Sequence, residues 1–153
     1  MTVAIELHLT IGATPERVWE ELEDLESHTE WMADAESIAF RTSQRQGVGT
    51  EMECLTRIGP FSTLDVLRVT EWEPGAAMAI EHRGVVTGTG RFALRPAARG
   101  MTELAWREEL RFPWWMGGPV GERVAAPVLR RVWRANLARF RARCEALGRN
   151  SGL

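Results

Sequence analysis

The chain has 153 residues, a net charge of −2 and 26% charged side chains. That length predicts one domain, large enough to bury roughly 70% of its unfolded surface. The near-neutral balance supplies no basic field for nucleic acid. Every basic side chain is arginine, so a lysine Schiff base is excluded. Cys54 and Cys144, the only cysteines, fall in a strand-like and a helix-like run, and buried thiols are expected rather than a disulfide framework. The start of the chain alternates polar and apolar residues, unlike a signal peptide, and no apolar run approaches the ~20 residues of a membrane span. A cytoplasmic protein, monomeric or a homodimer, is expected.

Val3, Ile5, Leu7, Leu9 and Ile11 alternate with polar or small residues and predict a first strand. Thr14-Pro15 reads as a helix start, with Thr as N-cap and Pro at the first helical position. Val18, Trp19 and Leu22 form that helix's apolar stripe, and a second short helix runs to about Met32. Six short strands follow: Ile38 to Ser43, Glu51 to Ile58, Ser62 to Trp72, Ala77 to Arg83, Val86 to Pro96 and Thr102 to Phe112. Turn signals at Gly59-Pro60, Pro74-Gly75, Arg83-Gly84 and Pro96 to Gly100 keep the connections short, so consecutive strands are antiparallel neighbours. After the aromatic and glycine-rich run Phe112 to Pro119 the period becomes helical. Ala125, Leu129, Val132, Trp133, Phe140, Cys144 and Leu147 share one face. Residues 128–147 would span ~30 Å, with Pro127 kinking the helix or marking where its long part begins. The domain is expected over residues 1–148, with 149–153 frayed.

The apolar face of a seven-stranded antiparallel sheet and the stripe of a long helix each need a partner. The helix is therefore expected across the concave face of the sheet, in an α+β architecture. The segments IGATPERVWEELEDLESHTEW, VTEWEPG and GRFALRPAARGMTELAW resemble the SRPBCC superfamily, which includes START-like lipid-transfer domains, pollen-allergen-like proteins and polyketide cyclase/dehydrase proteins. The resemblance covers nearly the whole chain and implies the helix-grip fold, with a cavity between sheet and helix. It matches no family catalytic motif residue by residue, and chemistry varies within the group.

Glu108 is the anomaly within the last strand. Thr102, Leu104, Trp106, Leu110 and Phe112 make an apolar face, and the carboxylate sits in its middle. A charge there must be paired, protonated or facing a cavity. Pairing Phe92 with Trp106 and Leu94 with Leu104 places Gly90 opposite Glu108 and Gly88 opposite Leu110. A turn near Gly84 then places His82 opposite Gly88 and Ile80 opposite Gly90. On flat-sheet spacings the His82 and Glu108 backbones lie ~12 Å apart, so both would reach a shared ligand rather than each other. The intervening glycines either leave a floor open or let the sheet bend. Asn136, amid Val132, Trp133 and Phe140, needs partners from a ligand, a water or a neighbouring backbone. Arg143 borders the same stripe as a counter-ion or a snorkelling surface residue. The Phe112 to Pro119 loop suits either a flap or a core plug.

The expected ligand-binding set is Glu108, His82, Asn136, Trp106, Trp133, Gly88, Gly90, Ile80, Phe92, Leu110 and Arg143. Glu108 and His82 are the candidates for acid–base chemistry. No metal-ligand spacing, nucleophile elbow, P-loop or dinucleotide fingerprint occurs, so no metal or cofactor is expected. The favoured function is binding of a hydrophobic small molecule that is polyketide-, lipid- or isoprenoid-like. A cyclase or dehydratase using Glu108 and His82 is the alternative. A protein-interaction module is the third; it requires an exposed apolar patch, and none can be placed on the sequence.

Overall fold

The protein is described by a computed structural model covering residues 3–150, with side chains described as far as Ala146. The elements are β1 (Val3–Ile11), α1 (Pro15–Leu22), α2 (His28–Trp31), β2 (Ala35–Phe40), β3 (Glu51–Ile58), β4 (Phe61–Glu73), β5 (Ala77–Arg83), β6 (Thr87–Ala97), β7 (Met101–Arg111) and α3 (Gly118–Asn150). The sheet order is β1-β7-β6-β5-β4-β3-β2. Every neighbouring pair is antiparallel. This is the helix-grip fold, with α3 packed against β1, β7 and α1.

Local chemistry explains the elements. Along β7, Thr102, Leu104, Trp106, Glu108 and Leu110 are buried and their neighbours are not, which is the period-two pattern of a strand with one wet face. Thr102 returns its buried hydroxyl to the Ala13 carbonyl at 2.7 Å. At the start of α1 the Thr14 hydroxyl accepts from the Arg17 N–H at 3.3 Å, and Pro15 opens the helix. Val18, Trp19 and Leu22 then face the core. On α3 the buried face is Leu129, Trp133, Asn136, Leu137, Phe140 and Cys144. Cys54 and Cys144 are buried free thiols.

β2 departs from the sequence reading and the structure decides between the two readings of Pro127, while the other strands match to within a residue. β2 begins at Ala35 and ends at Phe40, because a bulge between Ala35 and Ser37 breaks the alternation at its start. At its end, Thr42 donates to the Gln44 carbonyl and Gln44 donates to the Gln46 and Val48 carbonyls. These local bonds offer the backbone a turn instead of a ladder. The last helix begins at Gly118, well before Pro127, which lies inside it. Pro127 removes one helical donor, but the turns before it are tied down. Buried Glu122 accepts the Phe112 N–H at 2.9 Å, and Ala125 and Ala126 pack on the core. Because α3 continues to Asn150, the part of the expected frayed end beyond it lies outside the described residues. Among the described residues no helix is long and apolar enough to cross a membrane.

Candidate functional site

Between the concave face of the sheet and the first half of α3 lies a cavity of about 640 Å³. Met52, Met78 and Ile80 from the sheet, Met32 after α2, and Leu129 and Trp133 from α3 make its walls chiefly apolar. Its far side is aromatic: Phe92 stacks on Trp106 at 5.0 Å, and Trp106 meets Trp133 at 5.3 Å.

The expected register is the observed one. Gly90 faces Glu108, Gly88 faces Leu110, Ile80 faces Gly90 and His82 faces Gly88. The expected separation is not. His82 Nε2–H donates to Glu108 Oε2 at 2.8 Å, and Trp106 Nε1–H donates to Glu108 Oε1 at 2.9 Å. Glycine makes the meeting possible. A Cβ on Gly90 would lie 2.3 Å from Glu108 Oε1, so the carboxylate occupies the space that a side chain at residue 90 would fill. Each carboxylate oxygen thus has one donor, and Glu108 is buried without being unpaired. Burial alone would push the His82 imidazole down. The adjacent Glu108 charge and hydrogen bond outweigh burial, with Asp65 adding to them, and hold His82 above its ordinary value. Its Nδ1 has no protein partner among the described residues.

Of the remaining residues expected at the site, Trp106, Trp133, Gly90, Ile80, Phe92 and Leu110 line the cavity, whereas Gly88, Asn136 and Arg143 do not. Gly88 has φ of 145°, and a Cβ there would lie 1.8 Å from the Glu109 carbonyl oxygen, so it serves backbone approach and not the floor. Asn136 accepts the Ala33 N–H at 3.0 Å and donates to Asp34 at 2.7 Å. Its partners are thus the segment between α2 and β2 and, on its own helix, Arg139, which donates to the same Oδ1. Arg143 is drawn to the outer end of α3, where it pairs with Glu21 and, at 3.0 Å, with Glu30.

The sequence reading missed four titratable groups in the wall: His28, Asp34, Cys54 and Asp65. His28 donates through Nε2–H to the Leu22 carbonyl at 2.7 Å. Burial pushes its pKa down to about 4, against the opposing pull of that carbonyl and Asp24. The ring is therefore neutral in ordinary conditions. Asp34 accepts from Trp133 Nε1–H at 3.2 Å as well as from Asn136. Asp65 accepts the Val85 N–H at 2.9 Å and the Thr63 hydroxyl at 3.0 Å, which holds the β5–β6 turn. Burial raises the Cys54 thiol, so a reactive thiolate is disfavoured.

The mouth lies between the β3–β4 turn and the start of α3. Phe61, Trp115, Val124 and Val128 line the cavity there while remaining exposed. Trp114 and Trp115 are 86% and 61% exposed, so neither plugs the core, whereas Phe112 packs against it.

The sequence profile of the family described as polyketide cyclase / dehydrase and lipid transport matches residues 2–145. The chain belongs to that family. No curated protein matches it at a significant level. Among solved structures, it is similar to the Zhui aromatase/cyclase from Streptomyces sp. R1128, with 15% identity over 95% of this chain and 94% of that one and a TM-score of 0.78. TTHA0849 from Thermus thermophilus shares 17% identity over 94% and 98% of the two chains, with a TM-score of 0.77. A START superfamily protein from Mycobacterium smegmatis shares 14% identity over 94% and 98%, with a TM-score of 0.74. At these identities the likeness establishes the shared fold.

Proposed function

We propose that this family member binds a hydrophobic small molecule, polyketide-, lipid- or isoprenoid-like, in the cavity between sheet and α3, with its polar end on His82. One observation carries the reading: a hydrogen-bonded His82–Glu108 pair, its carboxylate buried, stands in a chiefly apolar cavity of ligand size. Apolar walls supply affinity, and Glu108 fixes the imidazole so that Nδ1 meets a carbonyl or hydroxyl. A water-soluble polar ligand would gain little from such walls.

A second reading rests on the same pair. A general base oriented by a carboxylate suits proton transfer. His82 would take a proton beside a substrate carbonyl and return it to a hydroxyl, which leaves as water. That is the dehydration step of a cyclase or dehydratase.

Native mass spectrometry of freshly purified protein tests both. A co-purified hydrophobic molecule supports binding, and a β-hydroxyketone returned lighter by one water supports catalysis. His82→Ala should weaken binding about tenfold, the loss of one hydrogen bond to a charged group, and abolish any dehydration. Protein that carries no molecule and binds no hydrophobic dye saturably would overturn both readings.

A further inference from the structure

The solvent side of the first half of α3 is unusual. Val120, Val124 and Val128 recur every four residues and so form one stripe, exposed at 70%, 70% and 50%. Trp114 and Trp115 sit beside its start on a one-turn 3₁₀ segment, at 86% and 61% exposure. Phe61, across the cavity mouth, is 71% exposed. Scattered exposed apolar residues need no explanation, but a cluster containing two tryptophans does.

The neighbouring stripe of the same helix is basic. Arg123, Arg130, Arg131 and Arg134 line a shallow groove with Ala126 and Pro127. The ion pairs of α3 involve Arg141 and Arg143, so these four arginines have no carboxylate partner among the described residues. The chain as a whole is slightly acidic, at −2. Four arginines without a carboxylate partner among the described residues thus gather on the helix whose start carries the exposed valines and adjoins the two tryptophans.

We propose that this face docks on an anionic lipid bilayer. Tryptophan prefers the headgroup level, where its ring is half dry and its N–H is wet. An arginine beside it reaches lipid phosphates, and its guanidinium fork suits them. A valine stripe adds shallow apolar insertion, as in helices that lie in the interface plane. An acidic protein surface would satisfy the arginines but gives no reason for two adjacent exposed tryptophans. The cavity mouth opens within this face, between Phe61, Trp115, Val124 and Val128. A hydrophobic molecule could then pass between bilayer and cavity without crossing water. That last link rests on the proposed ligand class; the docking does not.

The test is co-sedimentation of the whole protein with phosphatidylcholine vesicles, with and without phosphatidylglycerol, at low and high salt, read also by tryptophan emission. Binding should require phosphatidylglycerol, fall with salt and shift the emission to the blue. Arg130→Glu with Arg131→Glu should weaken it by at least roughly thirtyfold, given about 1 kcal/mol per basic residue at an anionic surface. That double variant touches no cavity-lining residue, so dye binding in the cavity should be unchanged, which separates failure of docking from failure of the ligand reading. Trp114→Ala with Trp115→Ala should remove the blue shift. The proposal is overturned by no binding to anionic vesicles, or by binding that neither variant weakens. Equal binding to soluble polyglutamate would overturn it in favour of an acidic protein partner. Self-association that both variants abolish would overturn it in favour of a contact between copies of the chain.

Discussion

A carboxylate in the middle of an apolar strand face must be protonated, hydrated or paired, and Glu108 is paired with His82 and Trp106. The pair has a definite pH signature. The His82 ring is held above its ordinary 6.5 in the folded state. Its contribution to stability is therefore complete below that value and is lost as pH rises through the higher folded value. Glu108→Gln removes the charge that holds the proton. It should lower the His82 titration midpoint, read from the ring C–H resonances by NMR. It should also flatten the fall in stability above neutral pH. An unchanged midpoint would show that Glu108 does not control the imidazole. Alternation along β7 marked Glu108 as anomalous, and the hairpin register placed it opposite Gly90. The direct bond to His82 was not legible, because flat-sheet spacing ignores how far a sheet bends over two glycines. Asp34 and Asp65 were missed for another reason. Their partners, Asn136 and Val85, lie far along the chain, and no local pattern announces them.

Among the elements, the β6–β7 hairpin does the positioning, and its two glycines have separable jobs. At Gly90 the atom an added Cβ would meet is the free end of a side chain, Glu108 Oε1. At Gly88 it is the Glu109 carbonyl, on a backbone with positive φ. Gly90→Ala should therefore fold nearly as well as the parent while moving the carboxylate, so the His82 midpoint drops toward that of Glu108→Gln. Gly88→Ala should cost at least about 2 kcal/mol in denaturant unfolding. Equal stabilities for the two variants would contradict this division. The strands were legible because half-buried strands alternate. The helical period after Pro119 was legible too, but not whether Pro127 lies inside the helix or marks where its long part begins, because Gly117-Gly118 and Pro127 both read as breaks. What carries the helix through them is tertiary: the bond from Phe112 to buried Glu122, formed only when β7 and α3 are in place.

For the whole molecule, the two histidines of the cavity wall oppose each other. His28 is held neutral by burial, with a pKa near 4. The stability this gives is complete above the unfolded value of ~6.5 and is lost as pH falls through about 4, a loss of order 3 kcal/mol. His82 loses its contribution on the alkaline side. From these two groups alone, stability should peak near pH 6.5, the ordinary histidine value. Unfolding curves across the acid range should show His28→Gln losing less stability than the parent between about pH 6.5 and pH 4; parallel losses would locate the acid sensitivity elsewhere. The helical period sets Arg130, Arg131 and Arg134 on the face opposite the buried stripe, and the structure adds Arg123 to them. Helical periodicity drew attention to the buried stripe and not to the valines opposite.

The placement of the tryptophans has an optical consequence. Trp31, Trp106 and Trp133 are buried and in close contact, edge-on at 6.5 Å and tilted at 5.3 Å along the series, whereas Trp114 and Trp115 are exposed. Indoles that close share their electronic transitions, so the inner group should give exciton bands in circular dichroism and blue emission. The outer pair should emit to the red. A guest in the cavity would disturb the first signal, and a lipid surface the emission of Trp114, which does not line the cavity, so one unlabelled sample can follow both events.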